Sequence, residues 1–323
     1  MLYPLKFEPI YKERVWGGSK LRDHYNRMSP ADRPIGESWE ISGVMGDVSV
    51  VSNGFLAGNE LNELIEVYMG ELVGDRVYNR FGEEFPILLK ILDVKELLSI
   101  QVHPEDELAI ERHNAYGKTE MWYVMDAEPE SYTYLGFNRN VNEAEFLTHL
   151  KQHTLPELLN KEPFSPGEVF FVPAGTIHSI GPGLLLAEIQ QTSDITYRVY
   201  DWDRKDLNGE PRELHTELAL DVLDFNKSER LKVDYSTEKN TAHTVKMCPQ
   251  FTANLIEVDG KTNRQYHDLD SFVIYFCLEG DAIVACAGGV ESLLEAETLL
   301  LPAEFEEASL TGKGKILEIY MTK

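Results

Sequence analysis

The sequence predicts a mainly β protein of two domains with a few short helices. Three observations carry this. The chain has 323 residues, enough for two hydrophobic cores. Its apolar runs are short and are closed by Gly, Pro, Asn or Asp, as strands are. From Thr244 onward the composition shifts: between Arg264 and Lys313 there is no Lys or Arg but ten Asp or Glu. The polar stretch 226–243 reads as the linker, which divides the chain into residues 1–235 and 236–323.

Taken in order, residues 1–60 read as strands and loops. Trp39 and Ile41 alternate with Ser38 and Glu40, which is the period of a strand. Leu61, Leu64, Ile65 and Tyr68 share one face of a helix. Residues 85–94 form an apolar strand interrupted by Lys90, a side chain that either snorkels to water or serves a pocket. In the next strand, residues 97–104, Gln101 and His103 are two apart, so their side chains point the same way; Pro104 ends the strand. Residues 105–112 read as a short helix. In the strand over residues 117–125, Lys118 and Glu120 share a face and Met121 and Tyr123 take the other. A strand at Tyr132–Phe137 and a helix over residues 142–159, broken at Pro156, follow. A last helix is expected at residues 214–223.

The stretch 167–198 is the most informative. A strand at residues 168–172 ends at Pro173, which cannot donate to a ladder, and Gly175 marks the turn that delivers His178. The chain returns through the apolar run Leu184–Ile189, in which Glu188 is the single carboxylate and needs a partner or a task. Arg198 follows ten residues later. The order Gly167, Pro173, Gly175, His178 resembles the second motif of the cupin fold, G-x5-P-x-G-x2-H, although Pro182 stands where the cupin pattern places Asn. That resemblance implies a jelly-roll barrel with a metal or a sugar at its mouth. Short strands at 272–278, 282–287, 298–301 and 315–321 point to a second jelly roll. There Leu300-Leu301-Pro302-Ala303 echoes Phe171-Val172-Pro173-Ala174, but Glu304 and Glu307 replace the glycine and histidine, and no histidine follows His267. The expectation is therefore two cupin-type jelly-roll barrels, the second one metal-free.

Charge and cysteine content exclude several functions. A net charge of −25 repels nucleic acid and anionic membranes, so neither is an expected partner. Three cysteines without CxxC spacing do not make a disulfide framework and suit a reducing, cytoplasmic setting. No apolar run reaches membrane-spanning length.

Gln101, His103, Glu120 and His178 are four candidate ligands on three strands, each at a strand end or turn. Two imidazoles, one carboxylate and one amide oxygen suit Zn²⁺ with positions left open; Fe²⁺ or Mn²⁺ would also fit. Lys90, Lys118, Arg198 and Arg204 are cations that could hold a phosphorylated substrate in an otherwise acidic chain.

Together, Trp16-Gly17-Gly18, Gly36-Glu37-Ser38-Trp39, Gln101-Val102-His103-Pro104, Gly117-Lys118-Thr119-Glu120, Pro173-Ala174-Gly175-Thr176-Ile177-His178, Glu188 and Arg198 resemble the type I phosphomannose isomerases of short bacterial form. The resemblance covers residues 1 to about 205 in detail and the second barrel in outline. It implies a zinc-dependent aldose–ketose isomerase that interconverts mannose 6-phosphate and fructose 6-phosphate through a cis-enediol, with one zinc ion per chain. It places the zinc ligands at Gln101, His103, Glu120 and His178, and the active-site cations and carboxylate at Lys90, Lys118, Glu188 and Arg198. Arg198, Arg204 and Lys90 are then expected to bind the substrate. The alternatives are a non-catalytic, metal-containing sugar-phosphate-binding cupin and an iron-dependent cupin oxygenase. A monomer or weak dimer is expected.

Overall fold

The computed structural model describes residues 1–25, 27 and 33–322. Two compact units emerge, each assembled from separate stretches: residues 11–38 with 90–233, and residues 1–10 with 39–89 and 234–323. The division expected from sequence was linear; the observed units are discontinuous. Their seam falls at Val233/Asp234, but the N-terminal residues and the segment 39–89 cluster with the C-terminal strands.

The unit holding residues 90–233 is built on two sheets. Its strands are β1 (Ile10–Gly18), β2 (Ile35–Ile41), β3 (Ile87–Val94), β4 (Ile100–Val102), β5 (Glu120–Ala127), β6 (Tyr132–Phe137), β7 (Leu159–Pro163), β8 (Val169–Val172), β9 (His178–Ile180), β10 (Leu184–Gln191), β11 (Tyr197–Tyr200) and β12 (Lys232–Val233). A seven-stranded sheet runs β1-β2-β3-β10-β5-β8-β12, and a five-stranded sheet runs β11-β4-β9-β6-β7. Trp16, Leu92, Trp122, Val124, Phe170, Leu184 and Leu186 of the first sheet pack with Leu135 and Ile180 of the second in one buried cluster. This is the sandwich interior that the alternating strands predict. The outer face of the five-stranded sheet buries Ile100, Val102, Phe137, Tyr197 and Val199 against α5 (Glu143–Lys151) and α6 (Thr216–Leu220). Because Ile100 and Val102 face outward, Gln101 must face inward.

Helical segments are trimmed relative to expectation. The helix read over residues 142–159 is α5 followed by a 3-10 turn at Leu155–Leu158, with Pro156 in its first turn. The one read at 105–112 is α4 (Asp106–His113), and the one at 214–223 shortens to α6. The polar stretch read as linker contributes β12, which pairs with β8.

In the other unit, β13 (Ala242–Met247), β14 (Thr252–Gln265), β15 (Val273–Cys286), β16 (Gly289–Leu294), β17 (Thr298–Leu301) and β18 (Glu307–Tyr320) form one sheet. The two strands expected at 272–278 and 282–287 are a single long one. The Glu279-Gly280-Asp281 signal is an irregularity in the ladder between Cys277 and Glu279, with Gly280 at φ +78. Here α2 (Leu61–Val73) and α3 (Asp75–Phe81) are tied to the C-terminal strands. Asp270 accepts from the backbone N–H groups of Asp75 and Arg76 at 2.8 and 3.1 Å, satisfying donors that every helix N-terminus leaves open. Arg76 donates to the Thr322 and Met321 carbonyls. Leu5 bridges Leu300, which explains why the first residues belong to this unit. Among the described residues no helix is long and apolar enough to cross a membrane.

The pair Gly17-Gly18 is a packing requirement. A Cβ at Gly17 would lie 2.6 Å from the Gly36 backbone nitrogen, and one at Gly18 would strike the buried Asp93 carboxylate. Backbone cannot yield as a flexible side chain can. Gly17→Ala is therefore expected to lower unfolding stability by roughly 1–3 kcal/mol, the range for overpacking. Chemical denaturation checks this; an unchanged midpoint would show that β1 and β2 separate at no cost.

Candidate active site

Strands β3, β4, β5, β9 and β10 bring polar residues to one end of the interior. On β5 the inward positions are Glu120, Trp122 and Val124; on β3 they are Lys90, Leu92 and Val94. In the register, Trp122 lies opposite Glu188, Glu120 opposite both Gln190 and Val172, and Gln101 opposite both His178 and Arg198. The polar ends therefore meet at the barrel mouth, and the apolar ends make the core beneath. Trp122 is the floor between them. Its Nε1 donates to Glu188 Oε2 at 3.1 Å, and its ring meets that of His178 edge-on at 5.4 Å.

His103, Glu120 and His178 converge so closely that one donor atom from each lies within 4.8 Å of the others. His178 Nε2 is 3.3 Å from Glu120 Oε1, and His103 Nε2 is 3.7 Å from Glu120 Oε2. The Nδ1 atoms point outward: His103 Nδ1 lies 2.9 Å from the Ile195 carbonyl and His178 Nδ1 2.9 Å from the Thr176 carbonyl. A ring N–H must meet each carbonyl, so both Nε2 atoms carry lone pairs facing Glu120. This is the outer hydrogen bonding that orients metal-binding histidines. Burial, then Lys118, holds His103 well below the usual imidazole range. Burial pushes His178 down to about 4. Both rings are thus neutral near pH 7, as ligands must be. Gln101 completes the group, with its amide 3.3 Å from His178 Nε2.

The donor set fits a divalent cation. Glu120 is 1% exposed, yet neither carboxylate oxygen has a hydrogen bond of good geometry. The Lys118 ammonium lies 3.1 Å from Glu120 Oε2 and 3.3 Å from His103 Nε2, a positive charge drawn to the same lone pairs. His103, Glu120 and His178 can hold a metal ion; nitrogen and oxygen donors without thiolate are the set used by open zinc sites and by Fe²⁺ or Mn²⁺.

Beside this cluster Glu188 is 3% exposed, with Oε1 3.4 Å from Lys90 and 4.0 Å from Lys118. Burial, then the neighbouring Glu120 charge, raises its pKa against the pull of the two lysines. Burial opposes the Lys118 charge, but Glu120 and Glu188 outweigh it and hold the ammonium protonated above the usual lysine range.

A cavity of about 460 Å³ opens from this cluster. Lys90, Gln101, Lys118, Glu188 and Arg198 line it, together with Arg14, Glu37, Asp194 and Arg212. Arg198 sends Nη1 to the Glu213 carbonyl at 2.8 Å, while its buried Nε has no hydrogen-bond partner. Arg204, expected as a substrate contact, does not line the cavity. Its Nη1 donates to the Leu97 carbonyl and its Nη2 to Asp201 Oδ1, both at 2.7 Å, so it braces the wall from behind. Arg212 takes the lining position, with Nε and Nη2 on the Asp201 carboxylate. Several residues outside the sequence-based set thus belong to the site, among them Trp122 and Arg212. Trp122 had a signal, since it lies two positions from Glu120 on the same strand face. Arg212 had none, because it sits in an aperiodic loop.

Residues 4–136 match the family model "Phosphomannose isomerase type I, catalytic domain", and residues 240–321 match "Mannose-6-phosphate isomerase, cupin domain". The chain is 36% identical to mannose-6-phosphate isomerase ManA of Bacillus subtilis, over 97% of this chain and 98% of that one. It is 34% identical to mannose-6-phosphate isomerase of Streptococcus mutans, over 98% of each. The crystal structure of mannose 6-phosphate isomerase from Bacillus subtilis superposes with a TM-score of 0.89 at 32% identity, covering 98% of this chain and 99% of that one.

Glu120→Gln keeps the shape of the side chain but removes the charge that an ion would need. Metal retained after dialysis is expected to fall by more than the roughly 10- to 100-fold that loss of an outer hydrogen-bond partner costs. Metal analysis at matched protein concentration reads this directly. Retention equal to wild type would show that Glu120 is not a ligand.

Proposed function

The chain belongs to the type I phosphomannose isomerase family, and from that membership we propose that this cleft interconverts mannose 6-phosphate and fructose 6-phosphate, with one zinc ion held by Gln101, His103, Glu120 and His178. The observation that carries the metal dependence is the buried Glu120 carboxylate, set between two Nε2 lone pairs with the Lys118 ammonium beside it. When bound, the ion supplies Lewis-acid polarisation of substrate oxygens and stabilises negative charge on the enediolate.

The protein's own groups divide the remaining work. Isomerisation moves a proton between C1 and C2 after ring opening. Glu188 is the proton carrier, because its raised pKa brings a carboxylate toward neutral pH and it lines the cavity beside the metal ligands. Lys118 stays an ammonium and so acts by charge: it holds Glu188 and the developing oxyanion in place without exchanging protons. Lys90, buried against Glu188, fixes the orientation of that carboxylate from the other side. Trp122 takes the second Glu188 oxygen, leaving Oε1 as the one that faces the lysines. A protein of net charge −25 offers a phosphate no global attraction, so local cations must bind it. Arg198 and Arg212 fill that role, since both line the cavity. Arg204 is spent on Leu97 and Asp201.

The deciding experiment is a coupled assay for fructose 6-phosphate formed from mannose 6-phosphate, before and after chelation and after return of zinc or iron. Activity lost with the metal and restored by zinc supports the reading. Activity that survives complete metal removal sinks the metal-dependent reading, and restoration by iron with consumption of O₂ would favour an oxygenase. Arg198→Ala is expected to lower kcat/KM by roughly 10²- to 10³-fold, the range for losing one preorganised electrostatic contact, with metal content unchanged. Arg198→Lys should also be impaired, because it keeps charge but loses the planar fork. Wild-type kcat and KM in Arg198→Ala would take this residue out of the site.

A further inference from the structure

Arg198 lies on β11, the edge strand of the five-stranded sheet. It faces Gln101 across β4, but its N–H and C=O both point away from β4, toward the open edge. Edge groups of this kind usually meet water or another strand. Here one residue meets both. The backbone N–H of Arg198 donates to His215 Nδ1 at 3.1 Å, and the backbone N–H of His215 donates to the Arg198 carbonyl at 2.7 Å. A neighbour adds the third contact: the Glu213 carbonyl accepts from Arg198 Nη1 at 2.8 Å. The segment 213–215 therefore holds Arg198 by backbone and guanidinium together. The imidazole is itself fixed by packing on Tyr197 at 6.3 Å between ring centroids, and the Tyr197 hydroxyl meets His113 Nε2 at 2.7 Å.

We propose that His215 is a positioning residue for Arg198: its Nδ1 replaces a missing strand partner and sets the angle at which the arginine enters the cavity. The inference rests on the reading of Arg198 as a substrate contact. Because a backbone N–H can only donate, Nδ1 must carry the lone pair and Nε2 the proton. Neutral His215 fits this, and burial lowers its pKa. Without the acceptor the Arg198 N–H loses its partner, and β11 regains freedom at the one point where the cavity needs a fixed guanidinium. Displacement by about 1 Å at such a site can cost on the order of 10²-fold in rate.

Three substitutions separate positioning from packing. Asn carries an oxygen the same number of bonds from Cβ as Nδ1, Gln carries it one bond farther, and Phe keeps the ring without an acceptor. His215→Phe is expected to lower kcat/KM for mannose 6-phosphate by roughly 10- to 100-fold, with metal content and Tm close to wild type. His215→Asn should retain most activity, and His215→Gln should resemble His215→Phe. Should His215→Phe fail to fold, the comparison of Asn with Gln still decides. In an Arg198→Ala background His215→Phe should add no further loss, since it acts through the arginine. Wild-type kinetics in His215→Phe would overturn the proposal. So would equal impairment of His215→Asn and His215→Gln, or losses that multiply with Arg198→Ala. The Arg198→Ala single variant keeps the two readings apart: if it is impaired while His215→Phe is not, only the positioning role fails. If Arg198→Ala is itself wild type, Arg198 leaves the site and His215 loses its proposed task with it.

Discussion

A carboxylate buried to 1% exposure cannot stay charged without positive charge beside it, and Glu120 is the point on which the first barrel turns. The two histidines that face it are held neutral by burial, with the Lys118 charge adding to it, while the carbonyls behind them orient the rings, so they add lone pairs and no charge. Among the described residues Lys118 alone offers Glu120 a cation at hydrogen-bond distance, and it must also serve Glu188. Three electron-rich groups sharing one ammonium leave room for a divalent ion. The C-terminal barrel shows the opposite solution. Glu318 there is completely buried, but Arg264 binds it through two nitrogens and Tyr266 and Asn254 donate as well. Its charge is met by protein alone. The same fold thus carries one buried carboxylate that is structurally complete and one that calls for a ligand.

The polar mouth exists because the strands are half core and half site. Leu92 and Lys90, or Trp122 and Glu120, differ by one pleat on the same face, yet Leu92 and Trp122 belong to the apolar cluster, while Lys90 lines the cavity and Glu120 faces the two histidines. Trp122 makes the boundary workable. A large ring with one donor can close the core below and satisfy Glu188 above. The lysines can be buried because Glu120 and Glu188 are within reach, and the carboxylates can be buried because the lysines are.

Much of this site was legible in the chain. Gln101 and His103 had to share a strand face, as did Lys118 and Glu120, because side chains alternate with period two. Glu188 declared itself as a lone carboxylate in an apolar run, and the structure supplies its partners. The turn at Pro173–Gly175 delivers His178 to the position opposite Gln101. Strand existence was readable in the C-terminal barrel too, although Gly280 marked a bulge rather than a turn, since glycine serves both.

What the sequence determined by itself was local: strand period, turn positions, and which ligand types share a face, all set by geometry within a few residues. The tertiary structure decided everything that depends on distant segments. It put Arg212 in the cavity wall and Arg204 outside it, though the two look alike along the chain; both meet the Asp201 carboxylate, and Arg204 is turned to the Leu97 carbonyl as well. It set His215 against Arg198 across an aperiodic loop, where no repeat foretells which backbone group a ring nitrogen will meet. It also gathered residues 1–10 and 39–89 with the C-terminal strands, through contacts such as Leu5 with Leu300. Periodicity reports which way a side chain points; only the folded chain determines what stands there to receive it.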